Sequence, residues 1–131
     1  MTVYIAIDGN DTGKHLEKYL LSNDVEKVRS FSNALDLQIK YFRDAVLKTE
    51  GDILMCGGDN ILGTVKAEDI PELCQKIKNT PESEMSFSVG IGNSPRNSYL
   101  ALKYAKSLHK DVIAFDGESF KDYDENMITH S

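Results

Sequence analysis

The run TVYIAI ahead of Asp8 is short, apolar and rich in β-branched residues, which predicts a buried strand whose C-terminal end delivers a carboxylate. GNDTG then turns the chain. Leu16, Tyr19 and Leu20 recur at helical spacing between about Thr12 and Ser22, with Asp11 or Thr12 placed to cap the free N–H groups. Between Asp24 and Lys48, Val28, Phe31, Leu35, Ile39, Phe42 and Val46 advance by three or four, so a long helix lays one apolar stripe on a sheet. DILMC (52–56) and ILGTV (61–65) read as strands joined by a GGDN hairpin. In AEDIPELCQKIKNT, Ile70, Leu73, Cys74 and Ile77 share one helical face, and Pro71 sits in the first turn, where its missing N–H costs little. MSFSVGIG alternates Met85, Phe87, Val89 and Ile91 with Ser86, Ser88 and Gly90, a strand whose small-residue face is open to close approach. SPRNSYLALKYAKSLHK predicts a helix with Ala101, Tyr104, Ala105 and Leu108 inward, and DVIAF a closing strand. The order β, α, α, β-hairpin, α, β, α, β specifies an α/β (α+β) domain, a mostly antiparallel sheet covered by helices. A single domain over residues 1–120 and a frayed polar tail over 121–131 are expected.

Composition narrows the function classes. The length of 131 residues suits one domain, and 40% hydrophobic with 27% charged residues is ordinary globular usage. A formal charge of −6 repels a phosphate polymer, so long nucleic acid is not an expected partner. Cys56 and Cys74 lack metal-ligand spacing and read as reduced core thiols of a cytoplasmic protein. No apolar run approaches the roughly 20 residues that span a bilayer, and neither end reads as a signal peptide; no direct membrane binding is expected. His15, His109 and His130 do not cluster and are expected to be exposed.

The stretch MCGGDNILG (55–63) carries the most specific chemistry. As a turn it is ordinary, because glycine and asparagine tolerate positive φ. If the hairpin lies beside the first strand, however, Asp59 and Asp8 meet at one sheet edge. Close carboxylates repel unless a cation lies between them, and all-oxygen ligation suits Mg²⁺ or Mn²⁺, with the Gly9 carbonyl as a further ligand. Gly57 and Gly58 leave room for a nucleotide, and the loop Gly9, Asn10, Asp11, Thr12, Gly13 offers a helix N-terminus to phosphate. Lys103, Lys106 and Lys110 form a stripe opposite the apolar face of the last helix, either solvated or reaching a triphosphate.

IAIDGNDTGKHLE, MCGGDNILG, SFSVGIG and LALKYAKSLHKD, in this order, resemble the palm-type nucleotide cyclases and polymerases, a superfamily that includes the GGDEF diguanylate cyclases and the polymerase subunit of type III CRISPR complexes. The single-domain length and the DG-D turn make the chain most similar to the minimal CRISPR polymerases, mCpol. The resemblance implies a palm-type, ferredoxin-like or GGDEF-like fold in which Asp8, Gly9 and Asp59 hold two divalent ions. Gly9 to Gly13 would bind the β- and γ-phosphates, joined by Lys106 and Lys110 at the positions of the family's phosphate-contacting basic pair. Asn60 stands where these families usually carry an acidic residue, which lowers the negative charge of the site. Leu16 stands where GGDEF cyclases place a guanine-reading asparagine, which disfavours guanine.

The resemblance implies a metal-dependent nucleotidyltransferase that converts two ATP into a cyclic di-adenylate and pyrophosphate, through a homodimer or a rebound linear intermediate. It further implies bacterial antiphage signalling to a separate membrane effector. The alternative is a nucleotide-binding module weakened in catalysis through Asn60. Both 2′,5′ and 3′,5′ linkage remain open at this stage.

Overall fold

The computed structural model describes residues 1–79 and 85–123. Six strands form one mixed sheet in the order β2-β3-β1-β4-β5-β6, with β1 (Thr2–Gly9), β2 (Asp52–Gly57), β3 (Asn60–Lys66), β4 (Phe87–Gly92), β5 (Val112–Phe115) and β6 (Phe120–Asp122). β1 is central and antiparallel to both neighbours, and only the β4–β5 pair is parallel. The helices are α1 (Thr12–Leu21), α2 (Val25–Lys48), α3 (Ile70–Lys78) and α4 (Pro95–Leu108). The expected element order therefore holds, with β6 added at the end.

Period-two alternation divides the sheet into two unlike faces. Val3, Ile5, Ile7, Phe87, Val89 and Ile91 join Phe31, Leu35, Ile39 and Phe42 of α2 and Leu73 and Ile77 of α3 in one core, with Phe42 edge-on to Phe87 at 4.9 Å between ring centroids. The small-residue face of β4 is covered by α4, which also touches β5 and β1. A Cβ on Gly90 would stand 2.2 Å from the Ser98 carbonyl oxygen, and one on Gly92 2.5 Å from the Ser98 nitrogen. The open face of MSFSVGIG thus admits a helix.

This close approach also corrects the expected inward set of α4. Ser98, Ala101, Leu102 and Ala105 are buried, whereas Tyr104 and Leu108 are exposed. Small residues opposite the glycines bring the helix backbone down onto β4, which turns the bulkier Tyr104 toward Phe120 of β6, stacked at 4.1 Å. Leu20 and Cys56 are likewise exposed, so Cys56 is a surface thiol on an edge strand while Cys74 lies in the core. His15 packs against Phe31 at 5.4 Å and is half-buried, His109 is exposed, and His130 lies outside the described residues.

Of the expected polar tail, residues 121–123 are described and the rest lies outside the described residues. Lys121 and Asp122 pair with β5, and the Tyr123 N–H donates to the Val112 carbonyl at 3.1 Å. Burial of Tyr123 pushes its phenol up to about 12. No helix among the described residues is long and apolar enough to cross a membrane.

Candidate active site

The register of β1 sets the position of the two carboxylates. Asp8 pairs across the sheet with Asn60 of β3, and Asn60 pairs with Gly57 of β2, so the β2–β3 hairpin closes beside the C-terminal end of β1. Gly58 supplies the positive φ of the turn, 52°, and nothing lies within 4 Å of a Cβ built on Gly57 or Gly58. The hairpin tip is therefore open on the side where a ligand would approach.

Gly9 is the point at which the elements meet. Its N–H donates to the Asp59 carbonyl at 3.0 Å, and a Cβ at this position would stand 2.7 Å from Thr12 Cγ2 and 3.0 Å from Asp59 Oδ2. Any larger residue would push the turn away from the strand. Thr12, buried at the first position of α1, donates its hydroxyl to Asp59 Oδ2 at 2.5 Å. A short charge-assisted bond of this kind fixes the carboxylate that the turn alone would leave free to rotate.

Asp8 lies on the α4 side of the sheet, and there Lys106 reaches it. The Lys106 ammonium is 2.8 Å from Asp8 Oδ2 and 2.8 Å from the Gly9 carbonyl oxygen. Both side chains are only about one quarter exposed, at 27% and 28%. Of the expected lysine stripe, Lys106 is thus turned into the site. Lys103 lies over the exposed Tyr99 ring at 5.3 Å, and Lys110 faces Asp122 of β6 at 3.7 Å. The basic pair is split between two partners.

The phosphate-loop candidates occupy the turn into α1. Asp11 takes a left-handed conformation, φ 58°, makes no side-chain cap and faces Lys14 at 3.7 Å. The expected side-chain cap is thus absent: the Asp11 carboxylate faces the Lys14 ammonium and the Thr12 hydroxyl is spent on Asp59. Without it the first N–H groups of α1 remain available to an anion. Gly13 has open space around it. Asn10 is held from behind: its N–H donates to the Ser86 carbonyl at 2.9 Å, its amide to Ser86 Oγ at 3.1 Å, and Ser88 Oγ donates to Asn10 Oδ1 at 2.9 Å.

Two of these contacts were not foreseen from sequence. Sequence offers Thr12 as a helix cap or a phosphate ligand, not as a partner of Asp59, and reads Ser86 and Ser88 as an open face, not as partners of Asn10. The SxS alternation at the start of β4 carried the signal, since a buried hydroxyl needs a partner and Ser88 is 2% exposed.

The donor set suits a hard divalent cation. Asp8 carboxylate, Gly9 carbonyl and Asp59 carboxylate are all oxygens, and an ammonium already occupies a bridging position between the first two, so the pocket attracts positive charge. No group of three or more His, Cys, Asp or Glu residues that could hold a metal occurs among the described residues, so the charge of the site rests on two carboxylates.

Comparison with known proteins adds three findings. Residues 4–115 match the family model of mCpol, the minimal CRISPR polymerase domain. No curated protein matches the chain. Among solved structures, a Csm1–Csm4 cassette in complex with cA4 superposes with a TM-score of 0.68 at 16% identity, covering 87% of this chain and 20% of that one. The active GGEEF domain of a diguanylate cyclase from Vibrio cholerae gives 0.66 at 14% identity, covering 90% and 83%. A bacterial light-regulated adenylyl cyclase gives 0.60 at 9% identity, covering 86% and 42%. The chain thus spans a fifth of the Csm1–Csm4 chain and under half of the adenylyl cyclase. At these identities the likeness is one of fold alone.

Proposed function

The chain belongs to the mCpol family, the minimal CRISPR polymerase domain, and from that premise we propose that it joins two ATP molecules into a cyclic di-adenylate with release of pyrophosphate. The observation that supports the reading is that Asp8 and Asp59 both border Gly9, where β1 meets the β2–β3 turn. Two divalent cations, Mg²⁺ or Mn²⁺, would be held by these three residues and would supply the Lewis acidity that activates a ribose hydroxyl and offsets the charge of the leaving pyrophosphate.

The chain's own groups bind and orient. The uncapped N-terminus of α1 and the backbone of Gly9 to Gly13 receive the β- and γ-phosphates, while Asn10 is held in place by Ser86 and Ser88. Lys106 and Lys110 supply positive charge to the triphosphate, Lys110 from further out. Beyond Asp8, the β2–β3 part of the same face carries exposed Met55 in register with Leu62, an apolar surface on which a nucleoside can lie. The ribose oxygen of one nucleotide attacks the α-phosphorus of the other and pyrophosphate departs. Repetition in the opposite sense closes the ring, which a homodimer achieves by facing two such sites. Leu16, half-buried against the core, offers no hydrogen bond to guanine, in keeping with adenine as the base. As an mCpol protein the chain would act in the cytoplasm in antiphage signalling, its product sensed by a separate membrane effector.

The test is incubation with ATP or GTP and Mg²⁺ or Mn²⁺, followed by mass spectrometry and by digestion with a nuclease selective for 3′,5′ bonds. The expected product is a cyclic di-adenylate from ATP alone, and the digestion reads its linkage. A second reading, a module that binds ATP without turnover, is favoured by Asn60 and by the absence, among the described residues, of any group of three or more His, Cys, Asp or Glu that could hold a metal. Metal-dependent ATP binding with intact ATP recovered would select it, and Asn60→Asp would then be expected to restore synthesis.

Thr12→Val removes the bond to Asp59 while keeping the side-chain shape. We expect synthesis to fall about tenfold, in line with the roughly 1.5 kcal/mol or more that a hydrogen bond to a charged group contributes. The thermal midpoint should change little, and a steady-state assay beside a melting curve checks both.

A further inference from the structure

Lys106 stands where a metal ion would stand. Its ammonium hydrogen-bonds the Asp8 carboxylate and the Gly9 carbonyl, two of the three oxygens assigned above to the divalent cation. We infer that Lys106 is a tethered cation that neutralises the nucleotide-free site and is exchanged for the divalent ion when the nucleotide arrives, moving then onto the triphosphate. This inference rests on the metal-site reading given above and concerns how that site is loaded.

Three observations carry it. The ammonium makes two 2.8 Å contacts to oxygens of the proposed metal set, so it and a dication coordinated by those oxygens exclude one another. The pair is about three quarters buried, which weakens screening by water and salt. The base of the side chain is also fixed: α4 is seated on Gly90 and Gly92, and Ala105, next to Lys106, is fully buried. Lys106 can therefore leave the site only by rotating its own flexible stem. Lys103 and Lys110 are engaged elsewhere and do not substitute for it.

The consequence is a coupling between metal and nucleotide. Without nucleotide, an incoming dication must displace Lys106 into solvent and the ion pair is lost. With nucleotide, the displaced ammonium finds phosphate oxygens, so each ligand strengthens the binding of the other by the same factor. The empty protein then holds its metal weakly, and metal enters together with the triphosphate.

Mn²⁺ binding measured by electron paramagnetic resonance tests this without reference to turnover. Native protein, Lys106→Met and Lys106→Arg are titrated with Mn²⁺ alone and again with an ATP analogue bridged by methylene between the α- and β-phosphorus. Methionine keeps most of the stem and removes the charge; arginine keeps the charge. A melting curve for each variant establishes that it is folded. Lys106→Met should bind Mn²⁺ about tenfold more tightly than native protein when no nucleotide is present, within the range usual for coupled sites. The analogue should strengthen Mn²⁺ binding less in that variant than in native protein, and Lys106→Arg should return affinity toward the native value. Equal or weaker Mn²⁺ binding in folded Lys106→Met overturns the exchange and leaves the transfer reading standing, because that reading is judged by product. Absence of Mn²⁺ binding in every protein, with and without the analogue, overturns both.

Discussion

Asp59→Asn is expected to abolish the proposed cyclic dinucleotide synthesis and to leave the fold intact. The substitution keeps the size of the side chain and an oxygen able to accept from Thr12, whose hydroxyl is 2.5 Å away, but it removes the negative charge. In the proposed site, where Asp8 and Asp59 are the two carboxylates, that loss halves the formal charge available to a divalent ion. Removing one preorganised electrostatic group from a transfer site typically costs about 10²- to 10³-fold in rate, and because the proposed function also assigns this carboxylate to the divalent ion, a loss at or beyond the upper end of that range is expected. Asp59 is in a turn and is not part of the hydrophobic core, so the melting midpoint should move by less than about 4 °C, or roughly 1 kcal/mol. Product quantified by chromatography beside a melting curve checks both halves. Unchanged turnover in the folded variant removes Asp59 from the site.

Gly90→Ala is expected to cost much of the stability through a single added methyl group. Its Cβ would meet the Ser98 carbonyl oxygen at 2.2 Å, the Leu102 nitrogen at 2.3 Å and the Leu102 Cα at 2.8 Å. All three belong to backbone and cannot rotate aside, so α4 must lift from β4. Overpacking of a well-fitted core typically costs about 1–3 kcal/mol, and a clash with helix backbone places this variant at the upper end, roughly a 10 °C fall in midpoint. Because α4 also carries Lys106, the Asp8 contact is lost with it. Gly57→Ala is the control: nothing lies within 4 Å of the added methyl at the hairpin tip, and its effect should stay within about 0.5 kcal/mol. A fall in Gly90→Ala no larger than in Gly57→Ala would contradict the packing described here.

Legibility of the fold followed the strength of the periodic signal. α2 was readable because Phe31, Leu35, Ile39, Phe42 and Val46 form one uninterrupted buried stripe, and β4 because its large and small residues alternate strictly. β6 was not, since three residues, Phe120 to Asp122, hold only one apolar side chain and depend on β5 for their pairing. The inward face of α4 was misread for a related reason: burial there is set by the missing side chains of Gly90 and Gly92 on another element, which no helical spacing reports.

The same division applies to the site. Asp8 and Asp59 were visible as carboxylates at a strand end and in a glycine turn, and the β1–β3 register brings both to Gly9. The partners of these groups depend on side-chain rotation across long sequence separations. Thr12 to Asp59, Ser88 to Asn10 and Lys106 to Asp8 are spaced by 47, 78 and 98 residues, and each could have been written as a solvent-facing polar residue. Lys106 is the clearest case. Its helical spacing puts it in a stripe with Lys103 and Lys110, yet only it lies low enough in the last turn of α4 to reach β1.

The most direct measurement of the central claim is the stoichiometry of the reaction, with ATP, Mg²⁺ and purified protein, counting pyrophosphate, cyclic dinucleotide, ADP and inorganic phosphate over one time course. Attack by a ribose oxygen on an α-phosphorus, carried out twice, predicts two pyrophosphates for each cyclic di-adenylate, with neither ADP nor inorganic phosphate formed. Release of ADP and inorganic phosphate in place of pyrophosphate would place the reaction at the γ-phosphorus and contradict the account.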